Sequence, residues 1–311
     1  MTVARLGSFS VAAVELGYTQ AAVSQQIAAL ENDLKTQLLN RRPVTPTEAG
    51  TRLLEHAEPI LLRLDAARTD VTRMTKTPAA TLLIGVTPLA GATSALPAAL
   101  AVLRDRMPRL AITIQTGNRR DTAIAVARGE LDLALTDGLT APGDPLPEQA
   151  PVTATGLTET QVKTVLPNDH PLAGRATLSL VDLADARWIE ADNVAPQLAE
   201  IRRHAGTAGF KPAFRYTGQD LKTLIDLAAA GHGLTLLPET AVRDQGVTAV
   251  HVALPRLCHR LELIHAALPK RSPAAALAAI LSQREEEPKV IQGSRGLATS
   301  PRDPRPCPYG F

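Results

Sequence analysis

Residues 7–31 read GSFSVAAVELGYTQAAVSQQIAALE, and two helices joined by a tight turn follow from this run. Ser8 or Ser10 can cap a short helix through Leu16, because a serine oxygen accepts an orphaned N–H of the first turn. Gly17 is placed to end that helix in the left-handed conformation. Thr19 then caps a second helix beginning at Gln20. On it Val23, Ile27, Leu30 and Leu34 recur at spacings of 4, 3 and 4, which is one buried stripe. The opposite face carries Gln20, Ala21, Ser24, Gln25 and Ala28. Amides pair bidentately with adenine, and small residues let a helix approach base edges, so this face suits the major groove. Spacing alone leaves a plain helical hairpin with a polar outer face equally open.

Residue identities carry the reading further. Gly7-Ser8-Phe9-Ser10, Ala12-Ala13, Leu16-Gly17-Tyr18-Thr19-Gln20, Val23-Ser24-Gln25-Gln26-Ile27 and Leu30-Glu31 resemble the DNA-binding domain of LysR-type transcriptional regulators. Leu38, Arg41, Arg42 and the run Pro46-Thr47-Glu48-Ala49-Gly50 continue the resemblance. It implies a winged helix-turn-helix over residues 1–47 that binds double-stranded promoter or operator DNA. Ser8, Ser10, Thr19, Gln20, Ala21, Ser24 and Gln25 then meet DNA, with Arg41 and Arg42 in the wing near phosphates or the minor groove. Two departures stand out. The family has a full first helix before the Gly-Ser-Phe, where only Met1 to Arg5 stand here. The wing is also shorter than common, and Gln25 replaces the Arg of many members. Ala12, Leu16, Val23, Ile27 and Leu30 are therefore expected to form a core with one side missing, to the detriment of DNA binding. A small-molecule sensor that has lost its hold on DNA is the alternative.

A chain of 311 residues suggests two or three domains. With 45% hydrophobic and 21% charged residues it reads as an ordinary globular protein. Through Lys76 nine basic residues face eight acidic ones, so charge alone nominates no nucleic-acid partner. Cys258 and Cys307 are too few for a disulfide framework. No signal peptide opens the chain and no apolar run reaches membrane length, so a cytoplasmic protein with no membrane contact is expected.

Thr45-Pro46-Thr47-Glu48 reads as a capping box with proline at the first helical position. From there Leu53, Ala57, Ile60, Leu64, Ala67, Val71 and Met74 alternate at spacings of 4 and 3. That is a heptad seam on a helix over 48–77, mildly kinked at Pro59, and it favours self-association over packing on its own domain. The resemblance agrees, implying a dimer or tetramer joined through this linker helix. Lys76-Thr77-Pro78 ends the element.

Residues 80–286 alternate strand and helix patterns. Strands at 81–86, 111–116 and 131–135 interleave with helices at 92–106 and 119–128, an order that implies a parallel sheet. After a Pro-rich crossing, a second unit runs from the strand 161–166 through a helix at 224–230 to a strand at 234–237. The stretch 261–267 returns to the first unit, covered by a helix at 273–286. Leu96-Pro97, Gly129-x-Leu131-Asp132-Leu133-Ala134-Leu135, His170-Pro171-Leu172-Ala173 and Gly231-x-Gly233-Leu234-x-x-Leu237-Pro238 resemble the LysR effector domain. The implied fold is two-lobed α/β, like periplasmic binding proteins. Lobe I takes about 80–155 and 255–286, and lobe II about 156–252. Such folds bind ligands in the cleft beyond the carboxyl ends of their strands. Candidate effector contacts are Thr87, Asn118, Thr122, Gln219, Asp220 and Thr223, and helix N-termini with free N–H groups favour a carboxylate. Residues 287–311 read as a disordered tail. No nucleophile, phosphate-loop or metal-ligand arrangement appears, so no catalysis, metal or cofactor is expected.

Overall fold

The computed structural model describes residues 1–76, 81–242 and 246–283. The tail at 287–311, with Cys307, lies outside these residues, as does most of the expected stop at Lys76-Thr77-Pro78, and Met74 lies outside the described side chains.

Three helices open the chain, α1 (Thr2–Leu6), α2 (Phe9–Leu16) and α3 (Gln20–Asp33). A wing follows, made of the antiparallel strands β1 (Leu39–Arg41) and β2 (Val44–Pro46). Ser8 caps α2 by accepting the Val11 N–H at 3.3 Å, and Thr19 caps α3 by accepting from Ala22 at 3.2 Å. Gly17 sits at φ 70°, the left-handed region that ends α2. The core is less open than the sequence suggests, because α1 supplies Val3 to a cluster with Ala12, Ala13, Val23 and Leu39. Ile27 packs partly against it, whereas Leu16 and Leu30 stay 45% and 41% exposed. Five residues of helix span only about 7.5 Å, and beside Val3 only Ala4 and Leu6 of α1 pack partly against this cluster.

Glu31, at the far end of α3, ties that helix to the wing. Its Oε1 accepts the Leu38 and Leu39 N–H groups at 2.9 and 3.1 Å, and Oε2 takes the Arg41 guanidinium at 2.6 Å.

The long helix α4 (Glu48–Lys76) continues through Pro59. Its cap is Thr47, whose hydroxyl accepts the Gly50 N–H at 3.0 Å. Thr45 and Pro46 are instead consumed by the wing, paired with Asn40 and Leu39, so no capping box forms and the single cap lies two residues later than the sequence suggests. At Gly50 a Cβ would lie 2.0 Å from the Leu38 carbonyl oxygen, so only glycine lets α4 pass the wing this closely.

The next unit is β3 (Thr81–Val86), α5 (Pro88–Thr93), α6 (Leu96–Arg106), β4 (Ala111–Thr116), α7 (Arg119–Ala127) and β5 (Leu133–Thr140). β3 lies between β4 and β5 and runs parallel to both. The single helix expected over 92–106 is two, with Pro97 in the first turn of α6, where its missing N–H removes no helical bond.

β6 (Thr153–Pro167) leaves this lobe for the other. Lobe II adds β7 (Thr177–Ser179), β8 (Trp188–Glu190), α8 (Leu198–Ala205), β9 (Pro212–Arg215), α9 (Leu221–Ala229), β10 (Thr235–Pro238) and β11 (Val247–Leu254). β10 and β11 pair antiparallel with the second half of β6. β12 (Cys258–His265) returns to lobe I between β5 and β6, antiparallel to both, and α10 (Pro273–Gln283) follows. Two passages of chain therefore join the lobes, β6 outward and the turn from β11 into β12 back.

In lobe I, Leu103 of α6 and Leu277 and Leu281 of α10 bury Ile84, Leu133 and Leu263. A separate cluster joins Val126 of α7 to Leu131, Ile264 and Leu62 of α4. With Leu62 turned inward, other seam positions face out: Ile60, Leu64 and Val71 are 64%, 46% and 64% exposed. Lobe II packs around Trp188 and Phe210, with ring centroids 5.3 Å apart, and around Leu224 and Ile225 of α9. Leu89 of α5 belongs to the α9 cluster, so lobe I inserts a side chain into lobe II. No helix among the described residues is long and apolar enough to cross a membrane.

Candidate DNA-reading face and interlobe cavity

The start of α3 presents Gln20, Ala21 and Gln25 to solvent, with Ser24 half-buried beside them. The Ser10 hydroxyl donates to Gln20 Oε1 at 2.9 Å, so one candidate contact orients another. Ser8 and Thr19 spend their side-chain oxygens on helix caps. The two wing arginines differ. Arg41 is held by Glu31 and lies over the Phe9 ring, 5.1 Å from its centroid, whereas Arg42 is exposed and makes no ion pair among the described residues.

Between the lobes lies a cavity of about 440 Å³. Lobe I contributes Thr87 and Leu89 around the start of α5, Asn118, Arg119 and Arg120 at the start of α7, and Asp137 on β5. Lobe II contributes the segment from Asp192 to Gln197 and, from α8, Glu200 and Arg203. Asn118 is the cap of α7, accepting the Asp121 N–H at 2.9 Å.

Asp137 anchors the floor. The Thr87 hydroxyl donates to its Oδ1, the Ala90 N–H donates to the same oxygen at 3.2 Å, and His259 Nε2 lies 2.9 Å from Oδ2. Burial pushes this carboxyl up, but the His259 contact, the Thr87 hydroxyl and the Ala90 N–H together hold it below its ordinary 3.8. The other two acids go the opposite way. Burial pushes Glu200 up despite Arg203 at 3.7 Å, and burial with the Glu190 charge pushes Asp192 up. Asp137 is thus committed to its own lobe, burial disfavours the charge on the other two acids, and Arg119, Arg120 and Arg203 line the space.

Of the residues nominated from sequence, Thr87 and Asn118 line this cavity. Thr122 is buried on the inner face of α7, and its Oγ1 would lie 3.0 Å from a Cβ built on Gly117. Gln219, Asp220 and Thr223 are exposed and line none of it. Asp220 is an ordinary cap of α9, accepting the Thr223 N–H at 2.8 Å and the Thr223 hydroxyl at 2.7 Å. The lobe II wall comes instead from the loop before α8, an element absent from the sequence reading. Its signal was present, since Pro196-Gln197 precedes Leu198 and Ile201 at helical spacing.

Cys258 is buried on β12, its thiol donating weakly to the Thr140 carbonyl at 3.6 Å. Burial and the nearby Glu159 carboxylate push this thiol up to about 11. Among the described residues no cluster of His, Cys, Asp and Glu could hold a metal ion.

Comparison with known proteins bears on both sites. The family model for the bacterial regulatory helix-turn-helix protein of the lysR family matches residues 1–51, and that for the LysR substrate binding domain matches residues 75–284. A probable hydrogen peroxide-inducible genes activator of Mycobacterium avium is 32% identical over 274 residues, covering 85% of each chain. The transcriptional dual regulator GltC of Bacillus subtilis is 29% identical over 230 residues, covering 72% of this chain and 73% of its own. Among solved structures, full-length BenM superposes with a TM-score of 0.52 at 21% identity, covering 91% of this chain and 93% of its own. The reduced form of OxyR gives 0.53 at 25% identity, covering 67% of this chain and 96% of its own.

Proposed function

The chain belongs to the LysR family of bacterial transcriptional regulators, and from that premise we propose which surfaces carry its work. It is a DNA-binding regulator with a helix-turn-helix head and an effector-binding domain, and its relatives are regulators rather than enzymes. The start of α3 enters the major groove, with Gln20 and Gln25 reading base edges and Ala21 and Ser24 allowing close approach. Arg42 holds phosphate or the minor groove, while Arg41 braces the wing. Two copies pair along Ile60, Leu64, Ala67 and Val71 of α4, next to Leu53 and Ala57. The relatives' names mention peroxide induction, but a thiol at about 11 is almost wholly protonated near neutral pH, so Cys258 serves no such chemistry here.

The effector is a small polar molecule bearing a carboxylate, bound in the interlobe cavity. The observation that carries this is the charge arrangement: three arginines line the space while Asp137 is occupied by Thr87, Ala90 and His259. Binding there reaches α5 directly, because Thr87 and Ala90 hold Asp137 while Leu89 is seated in lobe II. A ligand that pulls on the start of α5 therefore shifts how the lobes meet.

A thermal-shift screen of small carboxylates tests this. At 100 times its dissociation constant a ligand adds about 2.7 kcal/mol of stability. The stabiliser found should lose its effect in Arg203→Ala and in Thr87→Val, and stabilisation undiminished in both would move the site elsewhere.

A further inference from the structure

The geometry points to a second small-molecule site inside lobe I, taking a compact apolar molecule with a cationic or neutral hydrogen-bond donor. A cavity of about 350 Å³ lies beneath the loop from Pro145 to Val152, near the lower end of ligand pockets, which run from roughly 300 to 1,000 Å³. Its walls are mostly apolar, from Ala123 of α7, Leu146 and Val152 of the loop, and Ile264 of β12. The sheet supplies its floor. Glu262 stands opposite Thr136 on β5, and Ile264 stands opposite Ala154 on β6. Directly opposed residues share a face of the sheet, so these four side chains cluster.

Glu262 is the unusual member. It is 2% exposed, and a carboxylate is seldom so buried without partners for its oxygens. Oε1 accepts the Leu146 N–H at 3.0 Å and the Arg260 Nε–H at 2.8 Å. Oε2, in contrast, has no hydrogen-bond partner among the described residues, although it belongs to a residue that lines the cavity. A carboxyl oxygen with unused lone pairs in an apolar recess is a receptor for a donor. The charged groups lining this space are Arg119, Glu148 and Glu262, and Arg260 is paired with Glu262 from beside it, so no surplus of positive charge is left to draw an anion. The interlobe cavity is richer in cations, with three arginines facing three carboxylates, of which Asp137 is already engaged by Thr87, Ala90 and His259. The sites also touch. Arg119, Pro147 and Gln149 line both, and Arg119 donates to the Pro147 carbonyl at 2.6 Å, so occupancy of one alters the wall of the other. Such coupling is reciprocal between two ligands.

Saturation-transfer NMR on the full chain tests the site with benzylamine, benzyl alcohol and phenylacetate as cationic, neutral and anionic probes of similar bulk. Benzylamine and benzyl alcohol should bind saturably and compete with each other, and phenylacetate should displace neither in Arg203→Ala, where the interlobe cavity no longer takes a carboxylate. Ala154→Trp fills the recess from an exposed position and should remove both. Glu262→Gln keeps an acceptor for the loop, and should weaken benzylamine about tenfold, the order of one charge-assisted bond, while sparing benzyl alcohol. Thermal melting verifies that both variants fold. Arg203→Ala, in the other cavity, should leave benzylamine affinity where it was, so this site stands or falls independently of the interlobe effector. The proposal is overturned by absent benzylamine binding, by equal competition from phenylacetate, or by affinity that Ala154→Trp and Glu262→Gln leave unchanged.

Discussion

The proposed DNA-reading face and the interlobe cavity are built in opposite ways. Gln20, Ala21, Ser24 and Gln25 sit within two turns of one helix, whose caps and stripe lie in the same short stretch. The cavity draws Thr87, Asn118, Asp137, Asn193 and Arg203 from segments spread over more than a hundred positions. The cores beneath them differ as well. A cluster of five buried apolar residues holds the winged helix, whereas one cluster in lobe I alone has seventeen. A thin core concentrates its stability in a few side chains, and a dense one distributes it.

Val23→Asp attacks that contrast most strongly. Val23 is 7% exposed, and an unpartnered charge there costs several kcal/mol, a large share of a small domain's stability. Calorimetry should show the transition of the winged helix lost and that of the effector domain retained, with DNA binding abolished. One transition shifting as a whole would mean that the two regions share a single cooperative core.

Leu64→Glu comes next, because the seam lies between the two regions and belongs to neither core. Placing a charge at both copies of a central contact should cost about 2 kcal/mol or more per copy. Light scattering at micromolar concentration should then report monomers with both melting transitions intact. An unchanged oligomer would assign the seam to packing within one chain.

Thr87→Val probes the cavity floor through pH. The folded Asp137 carboxyl lies below its ordinary value, so it contributes stability above that value and loses it as pH falls through the lower, folded-state value. Removing the Thr87 hydroxyl takes away one cause of the depression. Acid unfolding of the effector domain, followed by circular dichroism, should therefore begin at a higher pH in the variant. Superimposable acid curves would show that the Thr87 contact carries no weight.

The smallest effect is expected at Cys258→Ser. With its thiol raised to about 11, Cys258 should react with iodoacetamide far more slowly at pH 7.5 than free cysteine does. Peroxide treatment of the variant should change DNA binding no differently from treatment of the parent.

What could be read from sequence follows the same division. Ser8, Gly17 and Thr19 were legible because caps depend on neighbours three residues away, and Thr87 and Asn118 because βα turns place residues at strand ends. Periodicity also put Leu30 and Leu34 on the buried stripe, yet they are 41% and 44% exposed, since spacing defines a face and not what covers it. Strand pairing moved the cap of α4 from Thr45 to Thr47. Glu31 gripping the wing, and Asp137 meeting His259 across 122 positions, depend on partners that no local pattern names. Gln219-Asp220 looked like a ligand loop because a helix cap and an anion site use the same residues.

The division of labour on the winged helix is tested most directly by fluorescence anisotropy on duplexes selected from a random pool by the parent chain, at two salt concentrations. Gln25→Ala should cost about 1–3 kcal/mol on the selected sequence and relax the preference at one base pair. Arg42→Ala should weaken every duplex alike and lower the salt slope by about one. If the parent selects no sequence, or if both variants weaken all duplexes to the same degree, then α3 does not read bases in the way its exposed face implies.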